Sequence, residues 1–406
     1  MTTDTTDPVL TLATPADILA AVPYLVGFHP TDSLIVVGIA GDGRVQLAVR
    51  WSLPFPAGTL APLGPLLARE GVTRIVVVGY GPGGQVTPAV DEARAVAAKS
   101  RVRVEEALRA HEGRYWSYIC DRSGCCPPQG TSYDTFAGRV AAEATVRGMV
   151  ALPDRRALER TLAPLTGPVR MAMRRATVEA VAEVRTRLAD VGRSGAGADR
   201  FAGEFVGRGL VRVRAALAAH AEGGRIDDVE AARLGLDLAV IRVRDEAWTL
   251  MDDSHAGLWK DLMRRLEPRF TPPAATLFAM AAWRGGDSTQ ATIALERVLA
   301  IDPAYSMANL LMHALQSLLS PSTLRGRLPT PAELDTAMGA PHAGWLPPLL
   351  ALLDEEPHAD PAACSHASSW AGPSRRGGST DNDTPARPAI APEPAPTRPH
   401  AGSAFS

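Results

Sequence analysis

The chain of 406 residues carries 42 basic and 44 acidic side chains, a formal net charge of -2. That near balance supplies no general attraction to nucleic acid or to an anionic membrane surface, and neither is expected as a partner. Hydrophobic residues make up 46% of the chain, enough to bury a core across two or three domains.

Only Lys99 and Lys260 among the basic residues are lysines. The arginine bias accompanies abundant Ala, Gly, Pro and Val, as a GC-rich coding bias produces, and is given no binding meaning. The start Met1-Thr2-Thr3-Asp4-Thr5-Thr6-Asp7 is polar and acidic, unlike a secretory signal. No apolar run reaches the ~18 residues that span a bilayer. Four cysteines in a chain this long do not suggest a disulfide framework. The expected setting is the cytoplasm, with reduced thiols.

Pattern divides the chain into three parts. Residues 8–150 alternate β-branched runs with helical stretches, predicting an α/β domain with a mixed sheet and flanking helices. Residues 151–355 predict an all-α helical bundle. Residues 356–406, rich in Pro, Ala, Ser, Gly and Thr, predict a disordered tail.

In the first part, Thr14-Pro15 opens a helix that should end near Gly27. Ser33 to Ile39 reads as a buried strand, Gly41-Asp42-Gly43 as a turn, and Val45 to Leu53 as its hairpin partner. A helix near Thr59 to Arg69 follows. Arg74 to Gly79 suits a sheet centre, because its Ile-Val-Val-Val run has no polar alternation. Thr87-Pro88 opens a helix reaching about Ala98. Val102 and Val104 begin a strand, with Tyr115 to Cys120 as its hairpin partner.

In the second part, Val181, Val184, Leu188 and Val191 line one helix face. Val229, Leu236, Val240, Val243 and Leu250 line another, opened by Asp227 and Glu230. Trp248, Leu258, Trp259 and Leu262 supply further core. Residues 272–303 form one hairpin like a tetratricopeptide unit: Pro272-Pro273 opens it, Gly286-Asp287 turns it, and Asp302-Pro303 ends it. A solenoid needs about three such repeats, so the reading is one hairpin inside a bundle. Residues 139–175 are basic and 222–261 acidic. These are solvated helix faces, or surfaces that meet each other or separate partners. Thr330-Pro331-Ala332-Glu333 starts one more short helix.

Three segments carry candidate chemistry. Cys120, Cys125 and Cys126 fall within seven residues, dense enough for soft thiolates to converge on zinc or an iron–sulfur cluster. The spacing C-x4-C-C is not a standard metal knuckle, and a fourth ligand would come from His111, His29 or elsewhere. A redox thiol and plain packing of the loop are the other readings. Gly79-Tyr80-Gly81-Pro82-Gly83-Gly84 fits G-x-G-x-x-G after a strand, with Glu105 and Glu106 about 20 residues on. Against nucleotide binding there, the helix is expected to begin only at Thr87, beyond Gly84, and Pro82 lacks an N–H. His29, Asp32 and Ser33 lie in one short turn, where a catalytic triad does not form. Asp32 or Ser33 is expected to bond backbone amides there. Arg50, Tyr115, Trp116 and Tyr118 are candidates for ligand contact, with Trp116 and Tyr118 on one strand face and Tyr115 on the other.

Thr14 to Leu19, Pro23 to Pro30, Asp32-Ser33-Leu34, Gly79-Tyr80-Gly81 and Tyr115 through Gly130 together resemble a family known as domain of unknown function 4192, typical of high-GC Gram-positive bacteria. The resemblance implies an acidic residue two positions after the arginine of the second strand, where this chain has Ser52. It implies no activity. The leading expectation is a cytoplasmic, non-catalytic binding or scaffold protein whose helical part meets a protein partner. The alternatives are a small-molecule or nucleotide-binding enzyme using Gly79 to Gly84, with Arg50 and the aromatic–cysteine segment nearby, and a metal or redox site at the cysteines.

Overall fold

The structure, a computed structural model, describes residues 14–122, 124–135, 139–191, 197–324 and 327–354. The tail expected over 356–406 lies outside the described residues.

Helix α1 (Pro15–Val26) starts where the sequence signals it. Thr14 Oγ1 accepts from the Asp17 amide, and the Asp17 carboxylate accepts from the Thr14 amide, at 3.1 and 3.0 Å. Gly27, at φ +85°, ends it. Strands β1 (Ser33–Ala40) and β2 (Val45–Ser52) form the hairpin; α2 (Leu63–Arg69) and β3 (Val72–Tyr80) follow. Helix α3 (Gly83–Lys99) crosses from β3 to β4 (Arg103–His111), and β5 (Arg114–Ser117) and β6 (Thr131–Ser132) finish one sheet in the order β2-β1-β3-β4-β5-β6. The β3–β4 pair is parallel; every other pair is antiparallel.

The pleat sorts the strand residues onto two faces. Leu34, Val36, Ile75, Val77 and Ala107 point toward α2 and α3, joining Leu63, Leu67, Val90 and Ala93. Ile35, Val37, Val76, Val78, Tyr80 and Leu108 point the other way, toward α1 and the helical region. Burial on both faces accounts for the unbroken apolar run of β3.

Two boundaries differ from expectation around the glycine loop. Helix α3 begins at Gly83, four residues before Thr87, so Gly83 and Gly84 are its first helical residues. Pro88, the sixth residue of this helix, lacks the N–H that would have bonded the Gly84 carbonyl, so the helix forgoes one internal bond there. Glu105 and Glu106, about 20 residues beyond the glycines, fall in the first half of β4, at the end of the strands away from the glycine loop.

The helical region contains α4 (Arg139–Val146), α5 (Arg155–Leu162), α6 (Gly167–Val191), α7 (Gly197–Ala221), α8 (Asp228–Asp237), α9 (Ile241–Leu250), α10 (Ala256–Arg265), α11 (Thr271–Arg284), α12 (Ser288–Ile301), α13 (Ser306–Gln316), α14 (Pro331–Met338) and α15 (Pro347–Asp354). The face expected to run from Val229 to Leu250 on one helix is split between α8 and α9. Val240 is extended at the break, and Val229 and Leu250 are exposed. The expected 272–303 hairpin is α11 and α12, turned at Gly286 and capped by Asp287 on the Gln290 amide. Helix α11 is buried from Thr271 through Trp283, the pattern of a central helix.

Charge is carried inside this region in pairs. Arg242 and Glu246, both essentially buried on α9, bond at 2.8 Å, and Asp335 of α14 accepts a second bond from Arg242. Arg265 bonds Asp228 and Asp261. Much of the acidic 222–261 stretch is thus bound to arginines of the same chain, among them Arg212 on Glu230 and Arg225 on Asp261.

Gly79 sets how closely α3 approaches the sheet. A Cβ there would lie 2.2 Å from Val86 Cγ1. We predict that Gly79→Ala costs about 2–3 kcal/mol of unfolding free energy in urea denaturation, by overpacking the β3–α3 contact. Gly84→Ala, which meets nothing within 4 Å, should cost far less.

Candidate metal centre

Strand β5 leaves the sheet at Ser117, and the hydroxyl of that residue shapes the exit. It donates to Glu106 Oε1 at 2.8 Å and accepts from the amides of Ile119 and Cys120, each at 3.1 Å. The Tyr118 amide still bonds the Ala107 carbonyl, and its phenol lies 2.8 Å from Thr87 Oγ1 on α3. The chain then winds back: the amides of Cys125 and Cys126 both donate to the Arg122 carbonyl, at 3.1 and 2.8 Å. This turn brings the three sulfurs of Cys120, Cys125 and Cys126 within 4.8 Å of one another. All three are free thiols, and the Cys120–Cys125 separation of 3.1 Å is far beyond a disulfide bond of ~2.05 Å.

Trp116 clamps the returning half of the loop. Its indole N–H donates to the Pro128 carbonyl at 2.9 Å. Gly130, at φ +78°, passes so close that a Cβ would sit 2.6 Å from the indole Cε2. The Arg109 guanidinium lies 3.7 Å from the Trp116 ring centroid, a cation–π contact across the β4–β5 pair. Arg114 adds a bond to the Gly130 carbonyl at 3.0 Å, and β6 then pairs with β5. The expected alternation holds. Trp116 and Tyr118 face α3, while Tyr115 meets Tyr133 edge-on at 6.1 Å on the other side. Trp116 is thus engaged by the protein's own loop and arginine.

The thiols differ in proton affinity. Cys120 is held below the ordinary thiol range because Cys125 and Cys126 hydrogen-bond to its sulfur, with a further bond to the Arg122 backbone. Cys126 is pushed up to about 12, first by its bond to Cys120 and then by burial. Of these two, Cys120 therefore gives up its proton the more readily, while Cys126 holds its own. A soft cation would replace those protons. Among the described residues no histidine or carboxylate joins this group, so neither His111 nor His29 supplies a fourth ligand.

The other candidates lie apart. Arg50 is on β2, the opposite edge of the sheet from β5 and β6, and on the face away from α3. The expectation that it sits near the aromatic–cysteine segment is corrected by the strand order. Its Nε donates to Ser33 Oγ at 2.9 Å, and its guanidinium lies 5.4 Å from the Phe28 ring. Burial, then Arg155, lowers the Arg50 pKa. Ser33 Oγ donates to the Thr31 carbonyl at 2.6 Å, where it was expected to accept from a backbone amide, and Asp32 between them is left-handed (φ +41°). Gly81, at φ +137°, ends β3 beside Asp32. Gly83 leaves room for Arg109, whose Nη1 would be 2.6 Å from a Cβ. The glycine loop thus meets Arg109 where a dinucleotide fold would have an acidic side chain nearby.

Arg109 and Ser117 were not singled out in the sequence, and Glu106 only as an acidic partner of the glycine loop. The signal for Arg109 was available: closing the β4–β5 hairpin at Glu112-Gly113 places it directly opposite Trp116. We predict that Gly130→Ala destabilises the loop by roughly 2 kcal/mol, from left-handed strain plus the indole clash. The measurement is the rate of thiol modification by a disulfide dye, which should rise several-fold.

No curated protein and no solved structure matches the chain. The family model described as "Domain of unknown function (DUF4192)" matches residues 15–322, which includes the sheet, the thiol loop and the helices through α13. The chain belongs to that DUF4192 family.

Proposed function

We propose that the loop between β5 and β6 binds a soft metal ion, zinc in the first instance, through the thiolates of Cys120, Cys125 and Cys126. The observation that carries this reading is the convergence of three sulfurs within 4.8 Å on a braced loop. Zinc–sulfur bonds of ~2.3 Å in a tetrahedron space the sulfurs about 3.8 Å apart, which small side-chain rotations would reach. An iron–sulfur cluster normally takes four thiolates, one more than this loop supplies. Cys125 is exposed and its two partners half-buried, so the fourth position faces solvent and suits an exchangeable ligand. A reducing cytoplasm, proposed from the low cysteine count, would keep the thiols available.

Elemental analysis of the full chain purified from zinc-supplemented culture tests this. One zinc per chain is expected, with Cys120→Ser, Cys125→Ser and Cys126→Ser each weakening retention at least about tenfold. Because binding must expel thiol protons, affinity should fall as pH falls. A chain free of metal under these conditions would overturn the proposal. If two thiols were then lost together to a mild disulfide oxidant, a Cys120–Cys125 redox pair would replace it.

A second reading, a protein partner for the helical region, is favoured by the apolar side chains Met171, Val178 and Val211, each more than half exposed on α6 and α7. Among the described residues no helix is long and apolar enough to cross a membrane. The buried α11 leaves the long helices as the surface a partner would meet. Crosslinking in the native host should capture one stoichiometric partner, and Val211→Glu should abolish it. Loss of zinc from the thiol loop would leave that capture unchanged.

A further inference from the structure

We propose that Arg170, Arg264 and Arg297 form a site for a phosphate-type oxyanion, free or carried by a small molecule, where α6, α10 and α12 meet the end of α5. Arg297 Nη1 donates to the Leu162 carbonyl at 2.8 Å, and Arg264 Nε to the Ala163 carbonyl at 3.1 Å. Those acceptors are consecutive in the chain, so the two guanidinium groups are held side by side. Arg170 Nη1 donates to the Leu266 carbonyl, two residues beyond Arg264, at 3.0 Å.

Each arginine is half-buried and spends a donor on a carbonyl, out of five. None of their remaining nitrogens is buried without a partner, so these reach solvent. Among the described residues none of the three forms an ion pair, unlike most of the half-buried arginines elsewhere in the helical region. The carboxylates next along the chain face other arginines: Glu296 pairs with Arg155 at 2.7 Å, and Glu267 lies 4.0 and 3.8 Å from Arg174 and Arg269. The like charges are felt at Arg297, whose pKa is lowered first by burial and then by Arg170 and Arg264. Lys260, lowered by burial and then by Arg264, stands beside them with its ammonium on Gln290 and is partly offset by Asp287.

The carbonyl contacts explain how the guanidinium groups are fixed, but not why three cations share a seam without a counter-charge. Forks fixed from three helices suit an anion with oxygens on several sides. A planar carboxylate fits one fork, whereas a tetrahedral phosphate can meet all three. The thiol loop takes no part in this site.

Calorimetric titration of the full chain at constant ionic strength tests the proposal, using orthophosphate, pyrophosphate and ATP against a chloride background. Saturable one-site binding of at least one probe is expected. Orthophosphate binding would point to the free ion, and binding of pyrophosphate or ATP alone to a larger phosphorylated molecule; either supports the site. Arg297→Gln should weaken binding about tenfold or more, and Arg297→Lys, which keeps the charge, by less. Arg170→Gln leaves the α5 carbonyls held and decides the matter should Arg297→Gln fail to fold. No saturable binding by any probe would overturn the proposal. So would binding that Arg297→Gln and Arg170→Gln leave unchanged, which would locate the anion elsewhere, for instance at Gly81 to Gly84.

Discussion

The constraint on which the rest depends is the burial of β1 and β3 on both faces. Ile75 and Val77 enter one apolar cluster while Val76 and Val78 enter the other. A slip of one residue in either strand would exchange the two sets and misplace every partner. The antiparallel fit of β1 on β3 from Ser33 to Ala40 resists that slip. Because register is fixed at the centre, the parallel fit of β4 is fixed as well, and with it the positions of Glu106 and Arg109. These two residues then hold the thiol loop, one through Ser117 and the other through Trp116.

The loop is therefore a peripheral element supported by central geometry. Its backbone bonds are made largely within itself or to the sheet edge, which leaves the sulfurs to meet each other and solvent. A site of this design trades burial for access. On the proposal made above, the exposure of Cys125 suits capture and exchange of a thiophilic species.

Much of the α/β part was legible because its signals are local. Thr14 with Asp17, the turn at Gly41 to Gly43 and the apolar run of β3 each mark a boundary within a few residues. The start of α3 was misplaced because Thr87-Pro88 is a strong start signal, whereas two glycines are a weak one. The start at Gly83 goes with strand–helix packing of Gly79 against Val86, a contact that propensity does not register. The break between α8 and α9 has the same origin. Helical periodicity continues through Val240, but Gly235 lies close against Leu266 and Gly209 against Val243, so the two segments pack around different neighbours. At the candidate site the cysteines were legible as a cluster. Their convergence was not, because it depends on the Arg122 carbonyl and the Ser117 hydroxyl, which carry no compositional mark.

The pairing of Arg242 with Asp335 has a consequence for where the folding unit ends. The family match stops at residue 322, yet Asp335 stands beyond it and shares in neutralising an arginine that is almost wholly buried. Arg185 and Arg269 likewise donate to the carbonyls of Leu353 and Leu352 on α15, and Leu349 and Leu353 belong to the main apolar cluster. A chain cut at the edge of the family match would take one acceptor from each of three arginines and open part of that core to water. Sequence kinship and cooperative folding thus have different borders here, and α14 and α15 lie inside the second while outside the first.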